Sequence, residues 1–333
     1  MAAEMAEQPA VITRQLDNRQ ETIRAVNDAR PNQLQGVVIV ARGSSDNAAV
    51  FGSYLLERAT GRPVAMVTPS THTLYGAQMD YRGYLAIAVS QSGQTPEIIS
   101  VLSRIVEAGG QGLAVTNDVD SNLAVVAHAV VALEAGHELA IPATKTYTAQ
   151  LAAFALIASV LGPTPFTEAQ LANVPQAMQC ALDRDNDAQQ AARKLLGFDR
   201  LAVVARGYLL AAAYEAALKV KETCAIWAQG FSAADIAHGP IAAVTHDVGV
   251  LTLLGGGTGD ADITALLRRL HGRTVIEIGP TKRADMPTGD ELPEALTCFP
   301  TAVRVQQLAC LTALLRGMNP DQPAALTKVT ATH

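Results

Sequence analysis

The chain is poor in aromatic residues, paired cysteines and positive charge, and each shortage narrows what it can be. Aromatics are 4% of 333 residues while hydrophobic residues are 49%, so the cores are expected to consist of Ala, Val, Leu and Ile. Cys180, Cys224, Cys298 and Cys310 stand alone, with no C-x-x-C pairing. That usage fits a reducing cytoplasm and argues against a cysteine-rich zinc site. The seven histidines form no H-x-x-x-H or H-E-x-x-H pattern, so no metal is expected. A net charge of −6 removes any general attraction to nucleic acid. The first residues carry Glu4 and Glu7 and no apolar core segment, so no signal peptide is expected. The longest apolar run, Leu151–Leu161, is too short for a bilayer, and no membrane partner is expected. The length suits two domains of ordinary size.

The richest stretch is Leu85-Ala86-Ile87-Ala88-Val89-Ser90-Gln91-Ser92-Gly93-Gln94-Thr95-Pro96-Glu97. A short apolar run suited to a buried strand breaks into hydroxyls and glycine, then enters helical spacing. Ser90, Ser92 and Thr95 would surround free N–H groups at a helix N-terminus, where the helix dipole favours an anion. Ordinary capping is the alternative, with Glu97 completing a capping box. The density of hydroxyls exceeds what one cap requires. The loop has neither the Gly-Lys-[Ser/Thr] of a Walker loop nor G-x-G-x-x-G, which favours a monophosphate on a small organic body over a nucleotide.

The chain also repeats itself. Val38-Ile39-Val40-Ala41-Arg42-Gly43 lines up with Ala202-Val203-Val204-Ala205-Arg206-Gly207 at an offset of 164 residues. Each copy reads as strand, glycine turn and helix. Further strands are expected at Pro63–Val67, Leu85–Ser90, Gly112–Thr116, Ala129–Leu133, Gly249–Leu254 and Thr274–Ile278, with helices at Ile98–Ala108 and Ile263–Leu270. The alternation predicts an α/β fold of two tandem doubly wound parallel sheets, flavodoxin-like, with ligands outside the carboxyl ends of the strands. The same offset carries Ser90–Thr95 onto Leu254–Gly259, which keeps glycines and loses most hydroxyls, so only the first half is expected to hold phosphate. The expected organisation is a helical segment over residues 1–30, a first domain over 31–165, a helical linker over 166–196, a second domain over 197–317 and a tail over 318–333. A last helix is expected at Val305–Leu315.

In the second half, Leu209 to Cys224 is a strong, largely apolar helix former interrupted by Glu215, Lys219 and Glu222, which share one face. A solvated stripe with a Glu-to-Lys pair is one reading. The other is a proton-transfer group, since Thr223–Ala228 keeps the surroundings of Glu222 apolar. His238, followed by Gly239-Pro240, lies at a turn and is either a surface histidine or an acid/base.

Ser90-Gln91-Ser92-Gly93-Gln94-Thr95, Pro142–Gln150, Ala217-Leu218-Lys219-Val220-Lys221-Glu222 and His238-Gly239-Pro240 together resemble the double sugar-isomerase (SIS) domain family. The likeness is to the isomerase half of the glutamine–fructose-6-phosphate aminotransferases and runs through essentially the whole chain. It implies that Ser44, Ser45, Ser90, Gln91, Ser92 and Thr95 hold a sugar phosphate. It implies Glu222 as the group moving a proton between C1 and C2, supported by Glu215 and Lys219. His238 would assist ring opening from the neighbouring subunit of a homodimer. Lys328 would meet the ketose carbonyl, a Schiff base being one form of that contact, and the backbone near Ile141 and Thr327 would line the sugar. In two places the chain departs from the family. The family's glutaminase nucleophile is a cysteine exposed once Met1 is removed; this chain has Ala2 and begins at the SIS region, so glutamine hydrolysis by that route is not expected. The family's sugar-contacting serine before Thr144-Lys145 is Ala143. The expected activity is therefore a hexosamine 6-phosphate deaminase/isomerase that needs no cofactor. A phosphosugar isomerase, a fructosamine-phosphate deglycase and a non-catalytic phosphosugar-binding regulator are the alternatives.

Overall fold

The computed structural model describes residues 1–289, 292–324 and 326–328, and the chain separates into two compact units. The first-sheet unit comprises Val11–His137 and Thr146–Thr164, joined by Thr327 and Lys328. Its strands are β1 (Gly36–Val40), β2 (Val64–Met66), β3 (Tyr84–Val89), β4 (Gln111–Thr116) and β5 (Ala129–Ala132). All pair in parallel in the order β2-β1-β3-β4-β5, with Val40 beside Ala88 and Val89 beside Val115. The helix Pro96–Glu107 covers one face because Ile98, Val101, Leu102 and Ile105 recur at helical spacing and are all fully buried. Burial of each such side chain contributes roughly 1.5–3 kcal/mol. On the helix Ser44–Thr60, Gly52 lets Phe154 approach: a Cβ there would stand 2.3 Å from the ring.

The second-sheet unit comprises Met1–Ala10, Glu138–Lys145 and Pro165–Leu326. Its strands are β6 (Arg200–Ala205), β7 (Trp227–Ser232), β8 (Gly249–Leu253), β9 (Val275–Gly279) and β10 (Met286–Pro287), parallel in the order β10-β9-β8-β6-β7. Counted from its own first strand, each sheet has the flavodoxin-type order 2-1-3-4-5. Smaller details repeat as well. Gly43 and Gly207 follow the first strand of their sheets with φ of +60° and +61°. Arg42 pairs with Glu97, and Arg206 pairs with Asp262, each acid lying in the first turn of a helix after the sheet's third strand.

Several boundaries differ from the sequence reading for local reasons. The last helix runs Cys298–Leu315 rather than starting at Val305, because Pro300 falls in its first turn, where the missing N–H has no intrahelical role. The longer stretch Glu294–Leu315 is apolar enough to cross a membrane by length and composition; 83% of its apolar window is buried, which marks a core helix. The first helix, Ala2–Asp17, passes through Pro9; the proline cannot donate to Met5 O, and Gln8 Nε2 donates to that carbonyl instead at 3.1 Å. Edge strand β7 carries no strand signal in the sequence, because its exposed and half-exposed residues interrupt any apolar run. Gly230 within it lies against the helix Leu210–Cys224, where a Cβ would meet the Tyr214 ring at 2.6 Å.

Candidate functional site

Topology singles out one place on the first sheet. Its strand order reverses between β1 and β3, and the loops leaving adjacent strands on either side of a reversal open a crevice at their carboxyl ends. The two loops there are Gly43-Ser44-Ser45 and Ser90–Thr95. Ser90 directly follows β3 and is nearly buried, its Oγ 3.2 Å from Thr95 Oγ1. Gly93 turns the chain with φ +63°, and an added Cβ would lie 2.0 Å from Ser121 Oγ, so the turn closes only around glycine. Gln94 N donates to Ser92 Oγ at 3.2 Å, and Gln91 O accepts from Asn117 N at 3.0 Å, which pins the loop to the end of β4.

Thr95 occupies the N-cap position of the helix Pro96–Glu107 without making a side-chain cap. The alternative of a capping box completed by Glu97 does not hold: with Thr95 as N-cap, Glu97 is the second helical residue, one short of the capping-box position, and it accepts from Arg42 Nε at 2.9 Å. The N–H groups of Gln91, Ser92, Thr95, Glu97 and Ile98 have no acceptor among the described residues. Five donors at a helix N-terminus make a ready anion site. On the neighbouring loop, Ser45 is nearly buried and its Oγ accepts from Gln150 Nε2 at 3.0 Å, which fixes the start of the helix Ser44–Thr60. Burial pushes the Asp46 carboxyl up in pKa, with Arg42 opposing.

The second-sheet unit holds the charged stripe. Glu215 and Lys219 are 1% and 0% exposed, so the solvated-stripe reading is overturned. Lys219 Nζ lies 3.4 Å from Glu215 and 2.5 Å from Glu222, whose side chain keeps 22% exposure. Burial alone would lower the lysine's proton affinity; Glu215 and Glu222 outweigh it and hold the ammonium above its ordinary value, with a smaller contribution from Glu138. Glu138 was missed from sequence. It is buried and accepts from Thr144 N at 2.8 Å and Thr144 Oγ1 at 3.3 Å, and nothing in its sequence neighbourhood marks it for burial. The apolar setting expected for Glu222 holds only in part, since Ile226 is buried while Trp227 is 80% exposed.

The remaining expected residues divide between the units. His238 is exposed at the end of the short helix Ala233–Ala237, ahead of Gly239 with φ +148°. Ile141 N donates to Asp321 O at 2.9 Å within the second-sheet unit. Thr327 is exposed and Lys328 half-buried, and both group with the first sheet. Thus Ser44, Ser45, Ser90, Gln91, Ser92, Thr95, Thr327 and Lys328 belong to one unit, and Glu215, Lys219, Glu222, His238 and Ile141 to the other.

Two parallel sheets of one strand order, repeated in tandem, define a duplicated α/β protein. The SIS domain profile matches residues 33–160. A protein of Silicibacter pomeroyi DSS-3, assigned as a phosphosugar isomerase, is 31% identical and superposes with a TM-score of 0.84 over 96% of this chain and 99% of that one. The chain belongs to the SIS-domain family of phosphosugar isomerases. The glutamine–fructose-6-phosphate aminotransferase of Thermococcus kodakarensis is 30% identical over 349 residues, covering 98% of this chain and 57% of that protein. The C-terminal domain of glucosamine-fructose-6-phosphate aminotransferase from Francisella tularensis shares the fold, with a TM-score of 0.83 at 21% identity over 96% of this chain and 97% of that one. The chain spans about half the length of the curated relatives it matches.

Proposed function

We propose that the protein is a hexosamine 6-phosphate deaminase/isomerase that converts glucosamine 6-phosphate, or an epimer, to the ketose phosphate and ammonia. The phosphate is held by Ser44, Ser45, Ser90, Gln91, Ser92 and Thr95. With the ring opened, assisted by His238, Glu222 takes the proton from C2 of the amino aldose and returns it to C1. The product is a C2 imine with a hydroxymethyl C1, and water replaces the imine nitrogen to give the ketone and ammonia. Glu215 and Lys219 orient Glu222, Lys328 meets the ketose carbonyl, and the backbone near Ile141 and Thr327 lines the sugar. A homodimer in which His238 reaches the neighbouring subunit and a cytoplasmic location complete the reading; four free cysteines suit a reducing compartment.

The observation that carries this reading is the burial of Lys219 with Glu215 beside a partly exposed Glu222, an arrangement suited to delivering one carboxylate and unlike a solvated surface. The test is incubation with glucosamine 6-phosphate and its epimers, measuring ammonia and ketose phosphate together. Equimolar products are expected, and Glu222→Gln should abolish turnover while leaving binding intact. The 31% identity to the Silicibacter protein favours a second reading, aldose–ketose isomerisation without ammonia. Interconversion of ammonia-free sugar phosphates with no ammonia from amino sugars would establish that reading in place of the deaminase. Binding without any turnover would leave a phosphosugar-binding regulator. An active monomer at assay dilution would remove the shared-site role of His238.

A further inference from the structure

The second sheet carries its own copy of the phosphate turn, and the chain has filled it. Residues 254–259 stand 164 positions after Ser90–Thr95 and connect β8 to the helix Asp260–Arg269, as Ser90–Thr95 connect β3 to the helix Pro96–Glu107. Gly256 turns with φ +73°, one position before Gly257, which is the counterpart of Gly93 (φ +63°) at that offset. In the first half the Gln91, Ser92 and Thr95 N–H groups of this turn lack acceptors among the described residues. In the second they face carboxylates. Asp260, standing where the first half has Pro96, folds back so that Oδ1 accepts from Gly255 N at 3.0 Å and Oδ2 from Gly256 N at 2.9 Å. Glu294 enters from a separate element, the 3-10 turn Glu294–Thr297, and lays its carboxylate over the glycines. A Cβ on Gly257 would stand 1.9 Å from Glu294 Oε2, and one on Gly255 would stand 3.0 Å from its Cγ. Burial first, then the neighbouring Asp260 charge, push the Glu294 carboxyl above its ordinary value, while the Thr258 and Gly259 N–H groups bond to it and oppose that rise.

We infer that Asp260 and Glu294 are built-in anions that occupy the second half's oxyanion cradle and so restrict the chain to a single phosphate-binding turn. Two carboxylates at a helix N-terminus supply the negative charge that the dipole and free donors attract, so a phosphate has neither the donors nor the room. The four glycines explain why side chains can lie where a ligand would. Without a Cβ at Gly257 the Glu294 carboxylate reaches the backbone, and any larger residue there would exclude it. The two halves thus share one architecture, with ligand access set by residues that the repeat itself does not supply.

This inference rests on the proposed phosphate role of the Ser90 turn only for the comparison, and its test keeps the two apart. Equilibrium dialysis with inorganic phosphate counts the anion bound per full-length chain. Asp260→Asn/Glu294→Ala is expected to bind one more phosphate than the parent chain, and the added binding should persist when Ser90→Ala/Ser92→Ala silences the first turn. Should the double variant fail to fold, Glu294→Ala alone leaves the Asp260 contacts in place and should still show added binding at higher phosphate. Folded variants that bind no more phosphate than the parent would overturn the inference, as would a parent chain that binds phosphate at both turns. A parent that binds none beside a double variant that binds one would sustain it and remove the Ser90 reading instead.

Discussion

The ammonium of Lys219 lies 3.4 Å from the carboxylate of Glu215, one helical turn earlier, and neither side chain reaches water. A charge pair this deeply buried is stabilising only while both members are present, because desolvating one alone is costly. Lys219→Met is therefore expected to lower stability by about 3–5 kcal/mol, leaving Glu215 buried without its counter-charge. Glu215→Gln/Lys219→Met should recover most of that loss. Urea unfolding of the three proteins checks both statements. Because the lysine's proton affinity is raised in the fold, the pair's contribution is fully present below pH 10.5 and lost only as pH rises through the folded value.

Two glycines with nearly the same backbone should respond differently to alanine. Gly61 ends the helix Ser44–Thr60 with φ +61° and has open space where a Cβ would go. Gly61→Ala should cost only the left-handed strain, about 1–2 kcal/mol, and leave ligand binding unchanged. Gly93 has φ +63°, and a Cβ added there would also stand 2.0 Å from Ser121 Oγ. Gly93→Ala should cost more, because the turn must open, and it should weaken phosphate binding at least tenfold, which takes about 1.4 kcal/mol. Thermal unfolding and phosphate titration of the pair distinguish strain alone from damage to the seat.

The contrast between these sites shows what sequence can carry. Strands β1, β3 and β8 are legible because runs such as Val37–Val40 and Leu85–Val89 are buried on both faces and read as unbroken apolar stretches. β7 is not, since an edge strand exposes Trp227 and Gln229 and presents no such run. The spacing of Glu215, Lys219 and Glu222 is local and visible; the burial of Glu215 and Lys219 is not, since their helix is enclosed by β7 and by the helix Cys298–Leu315, far along the chain. Glu294 is the extreme case. Its carboxylate meets glycines more than thirty positions earlier, and only the folded sheet brings them together.

Thiol chemistry tests the packing of the second sheet directly. Cys180 is exposed, whereas Cys224, Cys298 and Cys310 are buried. Burial pushes the Cys224 thiol up to about 11 and the Cys298 thiol up to about 12, so neither forms thiolate near neutral pH. Cys224 Sγ also donates to Ala309 O at 3.2 Å. With a disulfide reagent at pH 8, Cys180 should react within the mixing time and the others only on denaturation. Rapid reaction of a second thiol in the native protein would contradict the packing of the helix Cys298–Leu315.

The pH dependence of one strand residue follows from its neighbours. Glu277 on β9 is partly buried, and burial first, then the charges of Asp285 and Asp260, push its carboxyl above the ordinary 4.5. A carboxyl raised in the fold is one whose ionised form the fold disfavours. Its contribution to stability is therefore present below pH 4.5 and lost as pH rises through the folded value. Glu277→Gln keeps the shape and removes the charge, so it should raise the melting temperature near pH 7. That gain should shrink as pH falls and vanish below 4.5, where the native carboxyl is already protonated in both states. Melting curves of the two proteins across that range give the answer. A gain that persists unchanged in acid would assign the effect to packing, and no gain at neutral pH would remove the repulsion by Asp285 and Asp260 as its cause.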